Sequence, residues 1–134
     1  MIRRDELATY LHELLACADF DDYAPNGIQI EGSKEIQRIC TAVTASLDAV
    51  NQAVAMQADA LIVHHGYFWK GETPVLTGMK RQRIAKLIEH NISLFAYHLP
   101  LDCHAELGNN ACLGRIFELN SIKTHKKGKT RDLL

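Results

Sequence analysis

No two of the four cysteines, Cys17, Cys40, Cys103 and Cys112, stand in a CxxC pair. That spacing supports neither a zinc finger nor a disulfide framework and fits a reducing compartment. Long apolar runs are missing too, so nothing in the sequence reads as a bilayer span. The amino end carries Arg3, Arg4, Asp5 and Glu6 ahead of its apolar residues, unlike a signal peptide. A soluble, cytoplasmic protein with no membrane partner is the expectation. Excess charge is absent: the net charge is −1, which gives no general attraction to polyanions. The one basic run, Lys123 to Arg131, reads as part of a flexible, solvated tail over 121–134, and nucleic acid is not an expected partner. Phosphate-cradling glycine loops are lacking as well. Gly71 and Gly78 fit neither GxxxxGK[ST] nor GxGxxG, and no GxSxG elbow occurs, so triphosphate binding by those devices has no support.

What is present suits a core. The chain has 134 residues, 47% of them hydrophobic, enough for a single α/β domain over 1–134. Leu7, Tyr10, Leu11, Leu14 and Leu15 mark one face of a helix over 5–17. Ala24-Pro25-Asn26-Gly27 is a turn, followed by a short strand at 28–30, another turn, and a strand over 36–45. Ser46 caps a helix over 47–57. A strand over 60–64 leads into a loop from Gly66 to Gly78. A basic amphipathic helix over 79–90 then turns Ile84, Leu87 and Ile88 inward, and a strand over 92–98 follows. One more helix spans 109–117. The alternation of strand and helix predicts a parallel-rich sheet with helical crossovers, whose ligands gather beyond the carboxyl ends of the strands.

Two of those ends carry the chemistry. Leu61-Ile62-Val63 runs into His64-His65-Gly66, and the next strand ends in His98, with Asp102 four residues on. Successive side chains on a strand diverge, but at an end followed by glycine both imidazoles can turn into the cleft. A solitary histidine of this kind is usually a capped core residue or a solvated one. Two adjacent histidines beside a third and a carboxylate make a divalent-metal site the better reading, with each neighbour free to serve a different ion of a pair. Pro100 argues against helix at Leu99. Asp102 reads as a ligand or a bridge, against the simpler role of capping a turn. Three roles are open to His98: ligand, orienter or proton shuttle. Imidazole with carboxylate accommodates zinc, iron, manganese or nickel alike. Tyr67-Phe68-Trp69-Lys70 suits a wall that stacks a planar base beside a phosphate, or equally an apolar loop packed on the sheet or on a subunit.

Several stretches together resemble one family. They are Asp22-Tyr23-Ala24-Pro25-Asn26-Gly27, Ala42-Val43-Thr44-Ala45-Ser46, Val63 to Lys70, Gly78-Met79-Lys80-Arg81, His98 to Asp102, and Glu106-Leu107-Gly108-Asn109-Asn110. In order and spacing they are similar to the NIF-three-like dinuclear metal proteins known as GTP cyclohydrolase I type 2 homologues. The resemblance implies that His64 and Asp102 hold one divalent ion and His65 a second, with His98 beside them in a supporting or proton-transfer role. It implies an α/β fold, a toroidal homohexamer and metal-dependent hydrolysis of a nucleotide-like substrate. Metal delivery and an oligomeric scaffold are the alternative roles it brings. Family chains are about twice as long, and their second half adds a His and, four residues later, a Glu. Here His125 is followed four residues on by Lys129. The chain therefore reads as the truncated, N-terminal part of a longer protein, with its second-half ligands absent and its metal affinity reduced.

Overall fold

The computed structural model describes residues 1–120 and, beyond them, only two backbone strands. The expected tail over 121–134 lies otherwise outside the described residues. A short strand β1 (Ile2–Arg3) leads into helix α1 (Arg4–Leu14), which stops where Ala16 takes a left-handed φ of 49°. After a 3-10 turn at Cys17–Asp19 come β2 (Gly27–Ile30), β3 (Glu35–Ile36) and β4 (Ile39–Thr44). Helix α2 (Leu47–Ala55) joins β4 to β5 (Ala60–His65), and α3 (Gly78–Glu89) joins β5 to β6 (Ser93–Ala96). One turn of helix α4 (Leu99–Asp102) and α5 (Asn109–Ile116) follow, then β7 (His125–Lys127) antiparallel to β8 (Thr130–Leu133).

The main sheet has the order β2-β6-β5-β4, with β4, β5 and β6 parallel and β2 antiparallel against β6. The parallel-rich α/β sheet with helical crossovers is therefore as the sequence predicts. All four residues of β6 are buried, as befits a central strand covered on both faces. Alternation sorts β5 between two cores. Leu61 and Val63 join Val50, Ala53, Ile84 and Leu87 beneath α2 and α3. Ala60 and Ile62 face Leu7, Leu15, Phe95 and Tyr97 beneath α1.

Several local expectations are corrected. The strand read over 36–45 is two strands, because Asp59 Oδ2 accepts from the backbone N–H groups of both Gln37 and Arg38 at 2.8 Å and turns the chain between them. Leu99 is helical despite the following proline. At the first turn of a helix the N–H that proline lacks has no intrahelical partner to lose. Tyr10, Leu14 and Ile88, assigned to inward faces, are exposed, since α1 and α3 bury narrower stripes than the pattern suggests. Ser46 caps α2 as expected, its Oγ accepting from Ala49 N at 3.1 Å.

Candidate metal centre

Parallel pairing of β5 with β6 places Val63 opposite Ala96, so His64-His65 and His98 leave the sheet at the same carboxyl edge. The structure brings all three imidazoles together. Ring centroids lie 4.3 Å apart for His64 and His65, 5.0 Å for His64 and His98, and 5.8 Å for His65 and His98. One ligand nitrogen from each falls within 4.8 Å of the others, making a possible metal-binding group.

Each ring is tethered by Nδ1. His64 Nδ1 lies 3.0 Å from Tyr97 O, His98 Nδ1 3.0 Å from Asp22 Oδ1, and His65 Nδ1 3.2 Å from Thr44 Oγ1. A carbonyl only accepts, so His64 must donate from Nδ1, and its Nε2 keeps a lone pair. This is the usual way an outer partner fixes a metal-binding tautomer. Burial first, and then the neighbouring His64 and His98, hold the His65 imidazole below its ordinary pKa, with Asp102 opposing. The neutral ring is the form that binds a metal.

The chain after β5 is held against the site by side chains that imitate a strand. Gln29 Oε1 accepts from Tyr67 N at 2.6 Å, and its Nε2 donates to Tyr67 O at 3.0 Å. Tyr67 is buried, its hydroxyl donating to Ala45 O at 2.7 Å, so it is no part of a stacking wall. Trp69 and Tyr23 supply the aromatic surface instead. Both meet His98 edge-on, with centroids at 5.0 Å, and they lie 5.8 Å from each other.

Asp102 stands outside the imidazole group. Its Oδ1 is 3.6 Å from His64 Nε2 and accepts from Asn109 Nδ2 at 2.7 Å. His98, for which ligand, orienter and proton shuttle are all open roles in the sequence, lies within the group. His104 accepts from Glu106 N and Leu107 N through Nδ1, the turn-capping role of an ordinary polar residue.

Asp22 and Asn26 were not singled out as site residues by the sequence. Asn26 Oδ1 accepts from His98 N at 2.7 Å, and Asp22 gathers the loop around His98. Burial alone would raise the Asp22 pKa. Hydrogen bonds from Asn26, His98 and Leu99, with the charge of His98, outweigh that and hold it below the ordinary value. Asn26 lay in the Ala24-to-Gly27 turn, where it passes for a turn former, and Asp22 stood just ahead of it. An apolar cavity of about 260 Å³ opens beside His64, lined by Leu11, Leu14, Ile62, Tyr97 and Leu101 among others.

An α/β protein with three imidazoles gathered at the carboxyl ends of adjacent parallel strands is the class that these features define. The chain belongs to the Duf34/NIF3 (NGG1p interacting factor 3) family, whose model matches residues 2–131. It is 55% identical over 121 residues to the GTP cyclohydrolase 1 type 2 homolog of Yersinia pestis, covering 90% of this chain and 49% of that one. The Haemophilus influenzae relative of the same name is 49% identical, with 92% and 49% covered. Among solved structures, the protein ybgI, described as of unknown function, superposes with a TM-score of 0.90 at 49% identity, covering 92% of this chain and 50% of that one. TTHA1606 from Thermus thermophilus gives 0.87 at 38% identity, with 92% and 51% covered. The chain thus spans about half the length of the relatives it matches.

Proposed function

We propose that this chain carries part of a dinuclear metal centre and that the centre serves a metal-dependent hydrolase acting on a nucleotide-like substrate. The observation that supports this best is the convergence of three imidazoles, each tethered through Nδ1. The donor set fits a borderline divalent cation such as zinc, iron, manganese or nickel. Three nitrogens about one tetrahedral ion at ~2.1 Å would lie roughly 3.4 Å apart. Nitrogens within 4.8 Å of one another leave room for the ligands to divide between two neighbouring ions.

His64 with Asp102 would hold one ion and His65 the second, with His98 supporting the pair from the third corner. When bound, such ions acidify a water molecule near neutral pH and polarise the bond under attack. Trp69 and Tyr23 present the flat surface against which a base would rest. The relatives' shared name, GTP cyclohydrolase 1 type 2 homolog, supports a nucleotide-like substrate. A cytoplasmic setting and assembly into a family-like homohexamer complete the proposal.

The test is turnover across a nucleotide panel with added Mn²⁺ or Zn²⁺, for the wild type and His65→Ala. Hydrolysis by the wild type and its loss in the variant are expected. Equal turnover by both proteins would refute the role of the centre. Metal retained with no hydrolysis by either would favour the delivery or scaffold reading instead.

A further inference from the structure

The row of side chains that ends in His65 meets its partner on the next strand. Alternation puts His65 in the row of Leu61 and Val63, on the side of α2 and α3, and Thr44 in the row of Cys40 and Ala42 on that same side. Parallel pairing of β4 with β5 sets Thr44 opposite His65 as the final register pair. Across that pair Thr44 Oγ1 lies 3.2 Å from His65 Nδ1, and Ala45 N donates to His65 O at 2.9 Å. His64 belongs to the opposite row, with Ile62, and takes its partner from the other neighbour, Tyr97 O just past β6. The two adjacent histidines are therefore held by different chemistry. A carbonyl only accepts, whereas a hydroxyl donates or accepts. With Nδ1 engaged, Nε2 is the nitrogen that His65 has left for a cation. A cation there needs the proton on Nδ1, which the Thr44 hydroxyl is able to accept.

We infer that Thr44 is the positioning residue of His65. Its hydroxyl holds the ring through Nδ1 in either tautomer and accepts the Nδ1 proton when Nε2 binds metal. The inference rests on the metal-centre reading above, and it gives the end of β4 a task beyond strand pairing. The preference of threonine for strands explains a branched residue at this place, but valine would satisfy it equally. What valine lacks is the hydroxyl beside His65, a residue 21 positions away in sequence. An outer hydrogen-bond partner of this kind orients a ligand imidazole, and its loss typically weakens metal binding about 10–100-fold.

The test compares the wild type with Thr44→Val and Thr44→Ser. The first keeps the branched shape and the strand preference and removes the hydroxyl; the second keeps the hydroxyl and removes the methyl. Zn²⁺ affinity, by chelator competition, should fall about 10–100-fold in Thr44→Val and stay close to wild type in Thr44→Ser. In the ¹⁵N-histidine-labelled, Zn²⁺-loaded wild type, nitrogen NMR should find His65 protonated at Nδ1. Unchanged affinity in Thr44→Val, an equal loss in both variants, or a loaded His65 protonated at Nε2 would overturn the inference. Should the wild type bind no Zn²⁺, the metal-centre reading fails, and spectra of the metal-free proteins decide the rest. There the His65 Nδ1 resonance should move in Thr44→Val and hold in Thr44→Ser. A resonance that Thr44→Val leaves in place would overturn the hold of Thr44 on the ring, whatever the metal result.

Discussion

Cys17 shows how an inert-looking side chain can carry a measurable consequence. It is buried against Leu7, Leu15, Phe95 and Tyr97. Burial, with Asp22 adding to it and a backbone hydrogen bond opposing, pushes its thiol pKa from 9.0 up to about 11. Burial likewise pushes the Tyr67 hydroxyl from 10.0 up to about 12. Both groups hold their protons more tightly in the folded chain. Their stabilising contribution is therefore complete below the unfolded values and is lost as pH climbs through the folded ones. The thermal midpoint should fall progressively between about pH 9 and 12. A midpoint level across that window would contradict the burial argument. At this same scale the sequence was legible for His64, His65 and His98, because histidines at the ends of apolar runs are conspicuous. It was illegible for Asp22, Asn26, Gln29 and Thr44. These act through contacts with residues distant in sequence, and each is an ordinary polar residue in its own stretch.

Among the elements, the end of β5 matters most. Gly66 is needed there for space, since the glycines with positive φ are Gly27, Gly71 and Gly78. A Cβ at Gly66 would meet the Gln29 side chain and lie 2.6 Å from Ala96 Cβ. Neither neighbour can withdraw freely, for Gln29 clamps Tyr67 and Ala96 belongs to the central strand. Gly66→Ala should cost about 1–3 kcal/mol in urea unfolding, the usual range for overpacking, and should also weaken Zn²⁺ binding by displacing His65. Unchanged stability together with unchanged affinity would show that the close approach is unimportant. The long periodic elements were legible: α2 with its Ser46 cap, β5, α3 and β6 stand near their expected bounds. The break between β3 and β4 was not, because Asp59, some twenty residues away, makes it. Nor was the single turn of α4, which a rule about residues before proline argued against.

At the scale of the whole molecule, the face of the sheet beneath α1 is incompletely covered. Val43 on the edge strand β4 is 69% exposed, and Ile116 and Phe117 at the end of α5 are 72% and 67% exposed. Apolar groups left open in this way favour association. Light scattering should therefore give a mass above that of one chain, rising with concentration. A monomer at every concentration would refute the proposed self-association. The chain spans about half the length of its relatives. Whether the residues present here suffice to hold metal is thus the central question.

Metal content per chain, by elemental mass spectrometry after gentle purification and Zn²⁺ or Mn²⁺ loading, answers it most directly. The account predicts bound divalent ion in the wild type, approaching two per chain if neighbouring copies complete the site. It also predicts loss of that metal in a His64→Ala, His65→Ala double variant. Equal metal in the two proteins, or none in the wild type, would contradict it.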